Sequence, residues 1–417
     1  MTRRDLREAL LARLGQNRER LTAIAQALIR APSPNPPGDT KAVARVALDL
    51  LRAVPGAEVE EVTAQQPFVN LVARIRGNAK GRRLIFNGHL DTFPLGETLA
   101  WTHTPLSGVV AEGRLFGRGV SDMKGGIACS MLAFHLLAEL RDAWRGELVV
   151  TLAGDEESMG PHGTKHLLDT IAHATGDAMI CGDAGSSDVV RFGEKGLLWL
   201  EMNATGVPAH GAHVHRGVNA IDRLRRALDA LDTLRSLPVN APAPVKRAIE
   251  AAMPISETAS GAGEAQVLGQ VTVNLGTIAG GVSTNLIPAS ANATADIRLP
   301  VGVSTAAVEQ RIGELMSSIE GVSWRVLRRF EPSWTDPDHE IVRLVAANAQ
   351  SVIGRPVAVN MRVGASDARW YRMRGVPTVV YGLTPHNMGA ADEHVLVDEL
   401  HAIATVHALA AFDFLTA

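Results

Sequence analysis

The chain has 417 residues, of which 46% are hydrophobic and 39 are glycines, and its net charge is -3. This length allows two or three domains with a sizeable core, and the balanced charge excludes a strongly basic nucleic-acid-binding protein. With only Cys129 and Cys181, a disulfide framework and a thiolate zinc site are excluded, and no apolar run approaches a membrane span. We therefore expect a soluble cytoplasmic protein with no nucleic-acid or membrane partner.

Helices come first in the predicted order of elements, and strands follow. Residues 5–30 carry leucine and isoleucine at helical spacing, and a second amphipathic helix is predicted at about 40–54. Strands are predicted at 58–62 and 70–76, and the next strand runs into Asn87-Gly88-His89-Leu90-Asp91. Parallel sheets place ligand sites just past the carboxyl ends of their strands. Since His89 and Asp91 point to the same side, the carboxylate is expected to orient the imidazole or to share its metal ion.

Acidic residues recur at comparable places further along the chain. Asp122 precedes a buried helix predicted at 127–140, Glu156 and Glu157 follow a strand at 147–154, and Asp183 ends the next strand. Any one of these carboxylates is commonly a helix-end or solvated loop residue. Their repetition favours one site, and imidazole and carboxylate ligands without thiolates suit Zn²⁺, Mn²⁺ or Co²⁺. So many ligands exceed the need of one tetrahedral ion, which predicts two ions sharing a carboxylate.

After Asp183 the pattern changes to that of an α+β module. Strands are predicted at 196–205, 270–279, 289–299 and 323–329, and helices at 221–234 and 306–319, with a polar, Ala/Pro/Gly-rich passage up to about residue 266. We place this module at 194–330, inserted into a parallel-sheet domain that comprises residues 1–193 and 331–417. The histidines at 210, 213 and 215 have a spacing that suits neither a zinc finger nor a helical histidine pair.

Together these features resemble the M20 metallopeptidase/deacylase family, which includes acetylornithine deacetylases, succinyl-diaminopimelate desuccinylases, aminoacylases and glutamate carboxypeptidases. The resemblance covers nearly the whole chain. It rests on Gly88-His89-Leu90-Asp91, 119–126, 155–160, Asp183, 207–210, 283–288 and Asp296-Ile297-Arg298. It implies a zinc-exopeptidase-like α/β fold, with a mixed, mostly parallel sheet flanked by helices, and an inserted ferredoxin-like lid and dimerisation domain.

The same resemblance implies roles for the acidic residues and histidines. Asp122, followed by a cis peptide bond, would bridge two divalent metal ions, expected to be Zn²⁺, with Co²⁺ or Mn²⁺ as alternatives. His89 and Asp183 would complete the ligands of one ion. Glu157 and a C-terminal histidine would complete those of the other. Glu156 would be the general base, and Asp91 would orient His89 from behind.

The inserted module would supply the remaining residues. His210 would cross a homodimer interface and stabilise the oxyanion in the partner's site, while Asn285 and Arg298 would line the substrate site. Because Arg298 suits a carboxylate, the expected function is hydrolysis of an amide C–N bond in an N-acyl amino acid or small peptide-like carboxylate. The alternatives are a dipeptidase or carboxypeptidase, a hydrolase of an unusual non-amide C–N bond, and a non-catalytic binding homologue. Retention of Glu156 speaks against the last, because a structural remnant needs no base.

One motif departs from the family pattern near the C-terminus. Family members place the last histidine ligand four or five residues before a glutamate, which here is Glu393, but those positions hold Gly389 and Met388. The nearest histidine upstream is His386, seven residues before Glu393, and we predict that it takes the ligand role. His394 is the alternative.

Overall fold

The computed structural model describes residues 2–417. Its helices are α1 (Arg3–Gln16), α2 (Arg18–Arg30), α3 (Lys41–Arg52), α4 (Gly125–Glu139), α5 (Thr164–Thr170), α6 (Ala220–Asp232), α7 (Ala243–Ser260), α8 (Glu264–Leu268), α9 (Thr305–Ser317), α10 (Glu340–Ile353), α11 (Ala368–Arg372) and α12 (Val397–Leu415). Its strands are β1 (Glu58–Val62), β2 (Asn70–Arg76), β3 (Arg83–His89), β4 (Val110–Ala111), β5 (Arg114–Phe116), β6 (Glu147–Ala153), β7 (Ala178–Cys181), β8 (Val189–Glu194), β9 (Gly196–Thr205), β10 (Thr272–Gly280), β11 (Ser290–Leu299), β12 (Val322–Phe330), β13 (Ser333–Trp334), β14 (Ala358–Arg362), β15 (Thr378–Val380) and β16 (His394–Leu396).

The main sheet has nine strands in the order β1-β2-β6-β3-β7-β15-β8-β13, with β14 paired to β8. Its centre is parallel, because β3 runs parallel to both β6 and β7, and β7 runs parallel to β15. Antiparallel strands complete its two sides. The predicted fold class, an α/β fold with a mixed, mostly parallel sheet, is thus confirmed. The carboxyl ends of β6, β3 and β7 lie together at one edge.

Helices cover this sheet because its central strands are apolar on both faces. Leu84, Ile85 and Phe86 of β3 are fully buried, as expected for a strand covered from both sides. On one side α4 packs against β3, β6 and α12, and every residue from Gly125 to Ala138 is buried. A helix that is apolar all round is stable only in such a sandwiched position.

A second sheet of four antiparallel strands, β10-β11-β9-β12, forms the smaller module. Its chain order is strand, helix, two strands, helix, strand, with α6 and α9 as the helices, which is the ferredoxin-like arrangement that the resemblance implies. Leu198, Leu224, Ile297 and Ile312 belong to its own buried core. The domain boundaries at 194 and 330 remain a prediction.

One long helix in this region has no counterpart in the predicted elements. The passage up to residue 266 contains α7, which buries Val245, Ile249, Ala252 and Ser256 along one side. Pro254 lies inside the helix and made the passage resemble a loop. The α7 side chains Val245 and Ile249 join the core of the main sheet, so this part of the inserted segment packs onto the larger domain. Among residues 2–417, none of the helices combines the length and apolarity that crossing a bilayer requires.

Candidate active site

Three side chains that could hold a metal ion come together at the carboxyl edge of the main sheet. His89 is the last residue of β3, Asp183 follows β7, and Asp122 lies in the turn before α4. Nε2 of His89 lies 2.9 Å from Oδ1 of Asp122, and one donor atom from each residue lies within 4.8 Å of the other two. Within residues 2–417 no other three such side chains converge in this way. One imidazole and two carboxylates suit a divalent transition-metal ion.

Two glycines allow the Asp122 turn to approach β3 closely. A Cβ atom on Gly88 would lie 2.8 Å from Cγ1 of Ile127 and 2.9 Å from Cε of Met123, so a larger residue would push the turn away. Gly119, with φ of 76°, has the left-handed conformation that glycine adopts readily. The peptide bond between Asp122 and Met123 is cis, as the resemblance implies.

Asp91 holds the histidine and the acidic loop after β6 in fixed positions. Its carboxylate accepts hydrogen bonds from the backbone N–H groups of Glu156 (3.2 Å) and Glu157 (3.0 Å) and from Nδ2 of Asn35 (2.8 Å). Nδ1 of His89 lies 2.9 Å from the Asp91 carbonyl oxygen, which can only accept, so Nδ1 carries the proton. Nε2 is then available to bind a metal ion. Histidine ligands of metal ions are commonly oriented in this way, by a group that accepts a hydrogen bond from the other ring nitrogen.

Electrostatics show how strongly His89 and Asp122 interact. Burial by itself would lower the pKa of His89, but the hydrogen bonds with Asp122 and Asp91 outweigh it and raise that pKa well above its ordinary value. For Asp122, burial would raise the pKa, but the hydrogen bond with His89 and the positive charges of His89 and Arg362 together outweigh it and lower the pKa. The pair therefore favours its charged form in the absence of an ion.

The carboxylates beside this pair are less readily ionised, because burial raises their pKa values. Burial, together with the nearby Asp122 carboxylate, raises the pKa of Glu157 to about 10, and burial raises that of Glu156 to about 8. Oε1 of Glu157 is buried and has no hydrogen-bond partner. Buried polar atoms without partners are rare, and a bound cation would satisfy this one. Burial likewise raises the pKa of Asp183 to about 6.

A buried arginine that the sequence did not indicate pairs with one of these acids. Nη1 of Arg362, at the end of β14, lies 3.1 Å from Oδ2 of Asp183, and no second acidic side chain of residues 2–417 lies within ion-pair distance of this guanidinium. Burial would lower the pKa of Arg362, but the carboxylates of Asp183 and Glu194 outweigh it and raise the pKa. One oxygen of Asp183 is thereby neutralised by the protein itself.

A second missed arginine contacts the predicted general base. Nη1 of Arg369 lies 3.4 Å from Oε1 of Glu156, and its guanidinium carbon lies 4.6 Å from the ring centre of Phe330 and 5.1 Å from that of Trp370. Arg369 is almost fully buried, and it also donates to the Ser366 carbonyl over 2.6 Å. The sequence did not indicate the pairing of either arginine, because Arg362 and Arg369 each lie roughly 200 residues from the acidic partner along the chain.

The predicted last ligand, His386, lies in a segment that pairs with β16. The His394 N–H donates to the His386 carbonyl over 3.1 Å, and the two imidazole rings stack with centroids 4.8 Å apart. The converging donor group of His89, Asp122 and Asp183 includes neither His386 nor Glu157. Both of these ligand assignments stay predictions.

The predicted residues of the smaller module are held by contacts within that module. His210 is exposed and lies in a short bridge with Leu286, and its neighbour Gly211 donates to the Asn285 carbonyl over 2.7 Å. Asp296 accepts from Nε and Nη2 of Arg298 at 2.8 and 3.0 Å, which leaves Nη1 of Arg298 without a partner. This unpartnered Nη1 is buried.

These features are typical of metal-dependent hydrolases: side chains that could hold a metal ion lie at the carboxyl edge of a mostly parallel sheet, with a further carboxylate beside them. The family description "Peptidase family M20/M25/M40" matches residues 85–413. The chain belongs to this family, and it is a hydrolase.

Relatives and solved structures match almost the whole chain. A succinyl-diaminopimelate desuccinylase of Methylorubrum extorquens is 34% identical over 402 residues, covering 92% of this chain and 96% of its own length. A desuccinylase of Rhodospirillum centenum is 29% identical over 395 residues, which is 92% of this chain and 95% of its own length.

Among solved structures, an M20 family metallo-carboxypeptidase from Sulfolobus solfataricus matches with a TM-score of 0.77 at 18% identity, covering 94% of this chain and 98% of its own. Human carnosine dipeptidase 1 matches with a TM-score of 0.75 at 16% identity, covering 98% of both chains. At these identities the likeness concerns the fold, and it confirms the predicted two-sheet architecture.

Proposed function

We propose that this protein hydrolyses the amide C–N bond of an N-acyl amino acid by means of two divalent metal ions, with Glu156 as general base. The observation that carries the proposal is the converging group of His89, Asp122 and Asp183, with Glu156 beside it at the same sheet edge. The desuccinylase relatives support an acylated amino acid as the substrate class. A dipeptidase or carboxypeptidase is the second candidate, favoured by the peptidases among the solved structures.

In this proposal, each residue near the sheet edge has a role. His89 and Asp183 would hold one ion, Glu157 and His386 would hold the other, and Asp122 would contribute to both. Zn²⁺ is the proposed metal, and Co²⁺ and Mn²⁺ fit the same oxygen and nitrogen donors. When bound, such ions polarise a carbonyl group and lower the pKa of a water molecule.

The proton transfers fall to Glu156. Its carboxylate accepts the proton of the attacking water and later donates it to the leaving amine, as a general base that becomes a general acid. The backbone N–H of Glu156 is held by Asp91, and its Oε1 faces Arg369, so the side chain has little freedom to turn away. Arg298, which Asp296 holds in place through Nε and Nη2, binds the substrate carboxylate.

We further propose that the protein is a homodimer in which His210 stabilises the oxyanion in the partner's site. Strand β10 is the edge of the smaller sheet, and its side chains from Asn274 to Gly280 are exposed. Ile278 is 63% exposed and Val282, just after the strand, 91%. An exposed apolar edge strand is a surface for pairing with another chain, which supports a second copy at this place.

Subunit mixing tests the action of His210 across the interface. Glu156→Gln and His210→Ala subunits, each inactive alone, should regain about a quarter of wild-type activity when mixed, since half of the random dimers hold one intact site. The matched control mixes Glu156→Gln with the double variant Glu156→Gln/His210→Ala, in which no dimer can form an intact site. Confirmed mixed dimers without any regain would place His210 outside the partner's site.

The reaction itself is tested with elemental analysis and a substrate panel. The metal-loaded protein should hold two ions per chain and should hydrolyse N-succinyl or N-acetyl amino acids faster than dipeptides. A preference for dipeptides would favour the peptidase candidate. Two bound ions without turnover of any amide would contradict the proposed reaction and leave a binding role.

A further inference from the structure

Glu393 has a buried carboxylate whose two oxygens accept four hydrogen bonds from one short segment. Oε1 accepts from the Ser121 hydroxyl (2.7 Å) and the Ser121 N–H (3.1 Å). Oε2 accepts from Nη1 of Arg118 (2.7 Å) and from the Gly119 N–H (3.1 Å). All four donors lie within the four residues that precede Asp122.

Burial makes these hydrogen bonds strong determinants of position. The Glu393 and Arg118 side chains are 1% and 2% exposed, so neither charge can be satisfied by water. The N–H groups of Gly119 and Ser121 are likewise buried, and a buried donor without a partner is costly. The segment therefore has one favourable place, which the carboxylate defines.

The backbone of Glu393 fixes the same segment from its other end. The Gly117 N–H donates to the Glu393 carbonyl over 2.9 Å, and His394, the next residue, pairs with Phe116 of β5. The segment 117–121 is thus attached to the chain around Glu393 through both backbone and side chain. Asp122 follows it directly, and His386 lies on the same C-terminal segment.

We propose that Glu393 is a positioning residue, which fixes the segment 118–121 and thereby the place of the Asp122 carboxylate relative to His89 and Asp183. The inference rests on the proposed function, in which Asp122 binds both ions. It gives the C-terminal glutamate a task of its own, separate from that of the histidine ligand that normally precedes it.

The test compares Glu393→Gln with the matched control Asp413→Asn, using Co²⁺ alone as the probe. Glutamine has the shape of glutamate, but its amide nitrogen donates where one carboxylate oxygen accepts. The two buried donors at that oxygen therefore lose their acceptor. Asp413 also accepts from basic and amide side chains, namely Arg3, Arg7 and Asn348, but it lies at the far end of α12. Both variants should lower the free energy of unfolding.

Only the Glu393 variant should change the metal site. We expect Co²⁺ affinity to fall by about 10–100-fold, as for other groups that orient metal ligands, with an altered Co²⁺ absorption spectrum. Asp413→Asn should keep the wild-type affinity and spectrum. If Glu393→Gln does not fold, Ser121→Ala, which removes one of the four donors, should show a smaller change in the same direction.

A failure of the positioning role and a failure of the proposed function give different results. A wild-type Co²⁺ spectrum and affinity in Glu393→Gln or Ser121→Ala would overturn the positioning role, whatever the wild-type protein hydrolyses. Weakened Co²⁺ binding in the variants of a protein that cleaves no amide would support the positioning role while contradicting the proposed reaction. A wild-type protein that binds no Co²⁺ would overturn both.

Discussion

Replacing Glu156 by Gln removes a proton acceptor and changes almost nothing else. The side chain is buried, Gln has nearly the same volume, and the N–H bond from residue 156 to Asp91 belongs to the backbone. The oxygen facing Arg369 is also kept as an amide oxygen. General acid–base catalysis contributes about 10²–10⁴-fold, so kcat should fall by that factor, or about 3–5 kcal/mol in activation free energy.

The assay pairs steady-state hydrolysis of an N-succinyl amino acid with elemental analysis of the same preparation. Because Glu156 lies outside the converging group of His89, Asp122 and Asp183, the metal content should equal that of the wild type. Loss of an ion together with activity would refute this reasoning, since Glu156 would then be a ligand. Full activity with full metal content would remove it from the proton transfers.

Three further predictions concern the metal, the pH and the packing. His386→Ala should lower the metal content from two ions toward one, whereas unchanged content in that variant and a loss in His394→Ala would move the ligand role to His394. Burial lowers the pKa of His407 from 6.5 to about 4, so the unfolded chain binds the extra proton first as the pH falls. Stability that is fully present above pH 6.5 should then be lost toward pH 4, by up to about 3 kcal/mol, and urea unfolding should show a flatter pH dependence in His407→Gln. A Cβ atom on Gly126 would collide with the Gly182 carbonyl, so Gly126→Ala should lose about 1–3 kcal/mol in urea unfolding. Gly15→Ala, which meets nothing within 4 Å, should lose none; an equal loss in both would refute the collision.

The sequence allowed the sheet-edge half of the site to be predicted from local patterns. His89 ends one apolar strand and Asp183 lies just past the end of another, and strand ends can be recognised because burial requires a run of apolar residues. The repeated pattern favoured one shared site, but it did not specify which strands are neighbours in the sheet. Spatial order along a sheet depends on pairing between distant segments, which composition does not encode.

The parts that escaped prediction are those that depend on such distant pairing. Arg362 reaches Asp183 only because β14 and β8 run side by side, and a single arginine on a short strand carries no local mark of this. Helix α7 was hidden by Pro254, although its buried side chains recur at helical spacing. In the sequence, Glu393 served only as a reference point for locating the last histidine ligand. Its four hydrogen bonds could not be predicted, because they depend on a contact across more than 270 residues.

The place of β15 in the main sheet has a consequence for the synthesis of the chain. This strand, residues 378–380, lies between β7 and β8, which were made nearly two hundred residues earlier. Until β15 has been synthesised, β7 has no hydrogen-bonded partner on that side. Asp183, which follows β7, then lies beside an incomplete sheet. Unpaired edges invite association with other chains, and pairings of long sequence separation form slowly. In the nascent chain, the main sheet therefore stays incomplete, with β7 and β8 exposed, until translation is almost complete.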